Sequence, residues 1–235
     1  MGSVSSFAME TRSIHRNLSP LDHRYWQSNR KLFCELADLL SEEASVRYCA
    51  RVEAALCAAH LRREGMLTTD LHSALTRAAE SIDPEEVARE EEKTQHNVRA
   101  LVNVYQELVP EAARPFVHLG ATSADILDTA AGMRIRDSVK WIILPLLRDV
   151  TRQLCDLGES HAETVQIGRT HGQFAVPVTF GFAMAEYAQR LSKSAYRISE
   201  LNGDLRGKLA GAVGAYNAMS VVTADPEELE RDVLS

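Results

Sequence analysis

Apolar residues recur at steps of three and four along most of this chain, a spacing that predicts helices. Ser41 reads as an N-cap, and Val46, Cys49, Ala50, Val52 and Leu56 mark the apolar face of a helix over 42–64 that ends near Gly65. Leu71, Ala74, Leu75 and Ala78 share one face of a short helix over 70–80. Asp83-Pro84-Glu85-Glu86 is a start signal: a cap, a Pro at the first helical position, then acids at the positive end of the dipole. The helix it opens is read as one piece through Val98, Leu101, Val102, Tyr105 and Leu108, stopping before Pro110.

Pro110, Pro115 and Gly120 break the pattern over 110–123, and a domain boundary is placed there. The division expected is a tag or disordered stretch over 1–18, a small helical domain over 19–114, and part of a central long-helix bundle over 115–235. In the last of these, 124–160 carries Ile126, Ala130, Met133, Val139, Ile143, Leu146, Val150, Leu154 and Leu157, with Asp137 interrupting the stripe and Pro145 expected to kink it. A second long helix is expected over 177–209, with Phe180, Met184, Tyr187, Leu191, Ile198, Leu201, Leu205 and Leu209 close to a heptad seam. Both stripes read as core packing and not as a cofactor site. A helix of ~33 residues is roughly 50 Å long. Two such helices need partners that this chain alone does not supply, which implies an oligomer or further chain.

Composition narrows the function classes. Hydrophobic residues are 45% and charged residues 25%, with 12 Gly and 7 Pro, which disfavours a turn-rich β-sandwich. The formal net charge of −7 offers no nucleic-acid surface, so an anionic ligand must be held by local donors. Cys34, Cys49, Cys57 and Cys155 show no C-x-x-C pair and sit in helix-patterned stretches; each is read as a small buried thiol, with no disulfide framework or zinc spacing. No apolar run approaches the ~18 residues of a membrane span. The first eight residues lack the pattern of a signal peptide, and Met9 is read as the native start. A reducing, cytoplasmic setting is expected.

Polar clusters fall at breaks or ends of this scaffold. Arg24 and Tyr25 follow Ser19-Pro20-Leu21-Asp22-His23 and can present a guanidinium and a phenol to a phosphate, or form an ordinary surface turn. Thr94-Gln95-His96-Asn97-Val98 is read as the middle of a helix, where polar residues normally form a solvated face. His118-Leu119-Gly120-Ala121-Thr122-Ser123-Ala124-Asp125 leads into the long helix. Thr122 and Ser123 there can hold a carboxylate or phosphate, or serve as plain caps. Gly168-Arg169-Thr170-His171-Gly172-Gln173 interrupts the helical region ahead of a helix expected near Pro177, and His171 can move a proton there. As an acid it needs a carboxylate partner, which the sequence does not identify.

Five stretches in order carry a resemblance: Ser19-Pro-Leu-Asp-x-Arg-Tyr25, Thr94-x-His96, His118-x-Gly-x-Thr-Ser-x-Asp-Ile126, Gly168-Arg-Thr-His-Gly-Gln173 and Gly211-Ala-Val-Gly-x-Tyr-Asn217. Together they resemble the fumarase/aspartase superfamily and, within it, the adenylosuccinate lyase family; the Arg-Tyr opening favours that branch. The resemblance covers the chain from Ser19 onward. It implies an all-α fold: a small N-terminal helical domain followed by the first long helices of a bundle that tetramerises, the bundle being incomplete in this chain. It implies a β-elimination that releases fumarate from adenylosuccinate, giving AMP, and from the succinylated imidazole carboxamide ribotide of purine biosynthesis. No metal or organic cofactor is implied, and the partners implied are a succinylated purine nucleotide and further copies of the chain, without nucleic acid or membrane.

Carried over by position, Arg24 and Tyr25 would hold the nucleotide phosphate. Gln95, His96 and Asn97 would line the pocket with His96 assisting, and Thr122 and Ser123 would hold the succinyl carboxylates. His171 would be the general acid on the leaving nitrogen, with Thr170 and Gln173 beside it. Such a site needs many donors set before reaction. Two departures stand out. Asn97 replaces the family's usual Asp, which keeps the hydrogen-bonding shape without the charge. The family's loop Ser-Ser-x-Met-Pro-x-Lys-x-Asn, with its base serine, does not occur in these 235 residues. Family sites also combine residues from three subunits, so the chain is expected to be the N-terminal part of a lyase, inactive alone. The alternatives are a naturally short non-catalytic relative acting as an assembly partner, and a lyase for another succinyl compound.

Overall fold

The structure, a computed structural model, describes residues 13–19 and 22–235. Residues 1–12 of the stretch expected as a tag or disordered over 1–18, and Pro20 and Leu21 of the first motif, lie outside the described residues. Helix dominates, as the periodicity predicts. The chain forms two compact units, one of residues 1–134 and 207–235, the other of residues 135–206.

The first unit is built on a buried hairpin of helices. After a short 3-10 turn (Ile14–Arg16) come α1 (Asp22–Ser28), α2 (Arg30–Leu40), α3 (Glu42–Arg63) and α4 (Thr69–Glu80). Ser41 caps α3 as read: its Oγ accepts from the Ala44 N–H at 3.2 Å. Thr68 caps α4 in the same way. The centre of α3 is buried on nearly every face, from Tyr48 to Leu61. Arg134 ties the α2–α3 corner by donating to the carbonyls of Leu39, Leu40 and Ser41.

The segment after Asp83 departs from the reading. It is two helices, α5 (Pro84–Thr94) and α6 (Asn97–Leu108), with Gln95 in left-handed conformation at φ 52° between them. Apolar periodicity runs on across such a break because both helices turn toward the same core. The polar run 94–97 is therefore a corner, not a solvated helix face. Tyr105 on α6 is fully buried and donates its hydroxyl to Leu75 O at 3.0 Å.

A 3-10 turn (Glu111–Phe116) leads to α7 (Ser123–Ser138), and the helix continues through a π turn (Val139–Ile143) into α8 (Leu144–Ser160). The π turn lies just ahead of Pro145. A proline there removes an N–H and crowds the carbonyl one turn back, so the irregularity falls where the kink was expected.

In the second unit, α8 is followed by a two-stranded antiparallel hairpin, β1 (Val165–Thr170) and β2 (Gln173–Thr179), and by α9 (Phe180–Gly203). Pro177 thus sits in a strand, and Thr179 caps the following helix, accepting from the Phe182 N–H at 3.1 Å. The second long helix is shorter at both ends than 177–209. His171 at φ 52° and Gly172 at φ 70° form the two-residue turn, the pair of positive angles that matches the twist of a hairpin. α8 and α9 cross closely: a Cβ on Gly181 would collide with the Gly158 carbonyl oxygen, so only glycine fits there.

The expected burial of the long stripes is only partly realised. Ile126 and Ala130 are buried, but Leu146, Val150 and Leu157 on α8 and Tyr187 and Leu201 on α9 are exposed. Two antiparallel helices bury one seam between them and leave the outer faces uncovered. The cysteines divide likewise: Cys49 and Cys57 are buried, whereas Cys34 and Cys155 are exposed, contrary to the reading of all four as buried thiols.

The chain after α9 returns to the first unit through α10 (Met219–Val222) and α11 (Pro226–Leu234). Leu209, Met219 and Leu229 pack there with Leu56 and Ala59 of α3. Among the described residues no helix is long and apolar enough to cross a membrane.

Candidate active site

Two of the polar motifs meet in the first unit. His96 is the N-cap of α6: its Nδ1 accepts the Arg99 N–H at 3.2 Å, while its Nε2 lies 3.3 Å from Ser123 Oγ at the start of α7. An Nδ1 that accepts carries no proton, so the neutral ring is protonated at Nε2 and donates to Ser123. His96, Val98, Arg99, His118 and Ser123 line one cavity of about 320 Å³.

His118 is the member that the sequence reading quoted within a motif but gave no role. Its Nδ1 is 2.6 Å from Glu53 Oε1, and Glu53 is wholly buried on α3. Glu53 was missed altogether. The signal that marks it is its spacing: Cys49, Glu53, Cys57 and His60 follow one another at steps of four, four and three, placing a carboxylate in an apolar stripe.

Below Ser123 lies a second buried carboxylate. Asp125 accepts from the Thr122 N–H at 2.9 Å, from Lys208 Nζ at 2.7 Å and from the Gly211 N–H at 3.1 Å. Asp125 reaches back to the Thr122 N–H at the head of α7, one half of a capping box. The Thr122 N–H is therefore already engaged, and the capping reading holds for that group. The Ser123 hydroxyl is the donor that this corner turns to the cavity. Lys208 and Gly211 belong to the segment bearing the fifth motif, whose Tyr216 hydroxyl bonds Glu230 Oε2 at 2.5 Å. That carboxylate pushes the phenol up to about 12.

Within the first unit, the other expected residues do not line this cavity. Gln95 turns its amide back to Glu92 O at 2.9 Å, and Asn97 Oδ1 accepts from the Val98 N–H at 2.8 Å; neither lines the cavity. Arg24 and Tyr25 are on α1, where Tyr25 is exposed, and they do not line it either. In the second unit Thr170, His171 and Gln173 are all exposed at the tip of the hairpin. His171 is in a strand-to-strand turn and not at a helix N-terminus, because α9 begins at Phe180.

Among the described residues Gln95, His118, His171 and Tyr216 are the non-glycine positions with positive φ, and each falls inside one of the motifs or between two of its members. Left-handed backbone at non-glycine residues is uncommon and gathers at functional sites.

Solved structures share this scaffold. The fumarate lyase from Mesorhizobium sp. BNC1 superposes with a TM-score of 0.73 at 28% identity, covering 85% of this chain and 47% of that one. The 3-carboxy-cis,cis-muconate lactonizing enzyme from Pseudomonas putida gives 0.73 at 27% identity, covering 86% and 48%. The fold is thus that of the fumarate lyase class of helical enzymes. More particularly, the chain belongs to the lyase family, whose profile, described simply as Lyase, matches residues 16–232. Among its relatives are the adenylosuccinate lyases of Archaeoglobus fulgidus, 33% identical over 92% of this chain, and of Methanocaldococcus jannaschii, 32% identical over 89%. The chain spans about half the length of these curated relatives, 46% and 44% respectively.

Proposed function

We propose that the protein is an adenylosuccinate lyase: it eliminates fumarate from adenylosuccinate to leave AMP, and from the succinylated imidazole carboxamide ribotide of purine biosynthesis. The observation that carries this reading is the hydrogen bond between His96 and Ser123, at 3.3 Å, which joins two separate family motifs on one cavity. The relatives named above support the choice of substrate.

In this reading a succinyl carboxylate is held by Thr122 and Ser123. His96 assists by donating its Nε2–H to Ser123 Oγ, which turns that hydroxyl's own proton toward the carboxylate as negative charge grows on it. Gln95 and Asn97 border the substrate. Arg24 and Tyr25 hold the phosphate by a charged fork and a phenol. His171, flanked by Thr170 and Gln173, gives the proton to the leaving nitrogen. The reaction needs a base for the proton beside the carboxylate, and the family's serine loop, which supplies it, is absent from this sequence. The chain acts in a cytoplasmic homotetramer and is inactive by itself.

Complementation tests the reading. The chain alone releases no fumarate. Mixed with a lyase chain that has the serine loop but an inactive counterpart of His171, it restores release. Co-assembly without any release would count against the assignment. Arg24→Ala tests the substrate: weaker binding of AMP supports a phosphate ligand, whereas unchanged binding favours another succinyl compound.

A further inference from the structure

The cavity holds a second imidazole whose setting the elimination chemistry above does not use. Glu53 is fully buried, and its neighbours are the Cys49 and Cys57 thiols and the Tyr105 phenol. Its Oε2 has no hydrogen-bond partner among the described residues, and its Oε1 meets His118 Nδ1 at 2.6 Å. A buried carboxylate is costly to desolvate, and a histidine with φ of 59° is in an uncommon backbone state. Both costs converge on one side chain that lines the cavity.

Tethering does not account for the pair. The turn that carries His118 is already held to the same face of α3 by two other bonds. Cys57 Sγ contacts Ala113 O at 3.5 Å, and His60 Nε2 contacts Leu119 O at 3.0 Å. An apolar residue at position 53 would serve the core better than a third, ionisable contact.

We infer that Glu53 is a positioning residue: it holds the proton of His118 on Nδ1, so that Nε2 is offered to the substrate in the cavity as an acceptor. This rests on the lyase reading above. An imidazole is a stronger base than a carboxylate, so a proton shared between them resides on the ring. His118 Nε2 has no hydrogen-bond partner among the described residues. Carboxylates fix histidine tautomers in this way in metal sites and in catalytic triads. The cavity then presents two imidazoles of opposite sense: His96 gives its Nε2–H to Ser123 Oγ and leaves that hydroxyl to donate, while His118 accepts at Nε2. That combination suits a succinyl group, in which a carboxylate needs a donor while an N–H or hydroxyl nearby needs an acceptor.

Nitrogen-15 NMR of the histidine side chains in this chain tests the tautomer without any substitution. The expected result is His118 protonated at Nδ1 and bare at Nε2; the reverse tautomer overturns the proposal. In Glu53→Gln the amide can donate or accept, so the Nε2-protonated form of His118 is expected to appear. In the complemented assembly, Glu53→Gln is expected to lower kcat for fumarate release about tenfold or more, with KM within about threefold, and Glu53→Asp to recover part of the loss. Wild-type kcat in a folded Glu53→Gln protein overturns the positioning role alone. No fumarate release by the wild-type assembly overturns the lyase reading, a failure distinguished by an unchanged His118 tautomer.

Discussion

Lys208 Nζ stands 2.7 Å from Asp125 Oδ1, joining two residues 83 positions apart. Asp125 is wholly buried and Lys208 about one-third exposed, so the lysine can still reach water while the carboxylate cannot. The Thr122 and Gly211 N–H groups fill the remaining acceptor positions of Asp125. One side chain therefore anchors both the head of α7 and the loop of the fifth motif.

Replacing that anchor is expected to cost more than replacing its partner. Asp125→Ala leaves two backbone donors and an ammonium unsatisfied, and should lower stability by about 3 kcal/mol. Lys208→Ala should cost less, because the carboxylate keeps its two N–H donors. Urea unfolding of both variants is the check, and equal midpoints would contradict the asymmetry.

His96 has two separable duties. As the cap of α6 it should contribute about 1 kcal/mol, lost in His96→Ala and largely retained in His96→Ser, whose hydroxyl can take the same N–H. As a donor to the cavity it has no substitute in either variant. Thermal melting should thus rank serine above alanine, while fumarate release in the complemented assembly falls in both.

The thiols should react in two classes. Burial pushes the Cys49 and Cys57 thiols up to about 12, so little thiolate forms there near neutral pH. Cys34 and Cys155 are exposed. Iodoacetamide followed by peptide mass mapping should label Cys34 and Cys155 in the native chain, and all four cysteines in urea. Native labelling of Cys57 would mean that the α3 core opens readily.

His60 should make the fold acid-sensitive. Burial lowers its proton affinity below the usual histidine value, against the opposing effect of its bond to Leu119 O. The unfolded chain therefore binds the proton first. The stabilisation is complete above the ordinary histidine value of about 6.5 and declines as pH falls through it. Melting temperature measured from about pH 7.5 down to about pH 5.5 should fall, and less steeply in His60→Gln. Equal slopes would exclude His60 as the titrating group.

Much of the scaffold is legible in the chain because caps and apolar spacing act locally. Ser41, Asp83-Pro84 and the stripe of α3 mark their helices within a residue or two of where they form. The corner at Gln95 and the hairpin at 165–179 were not legible. The first is hidden by apolar spacing that continues across it. In the second, the same run of polar and small residues suits a helix start as well as a two-residue turn. The motif residues were identifiable one by one, yet their grouping was not. His96 and Ser123 are 27 positions apart and Glu53 and His118 65 apart, separations at which no sequence period applies.

By itself, the sequence determined the helical class, the capped starts, the break between the long helices and the family to which the motifs point. These follow from interactions within a turn or two of chain and from residues that can be read in order. Only the tertiary structure decided that His96 caps α6 by accepting the Arg99 N–H, that Asp125 is spent on Lys208 and two backbone N–H groups, and that an unnoticed Glu53 faces His118. Burial and proton position depend on what the rest of the fold brings alongside, and a buried carboxylate takes its meaning from the one partner it meets.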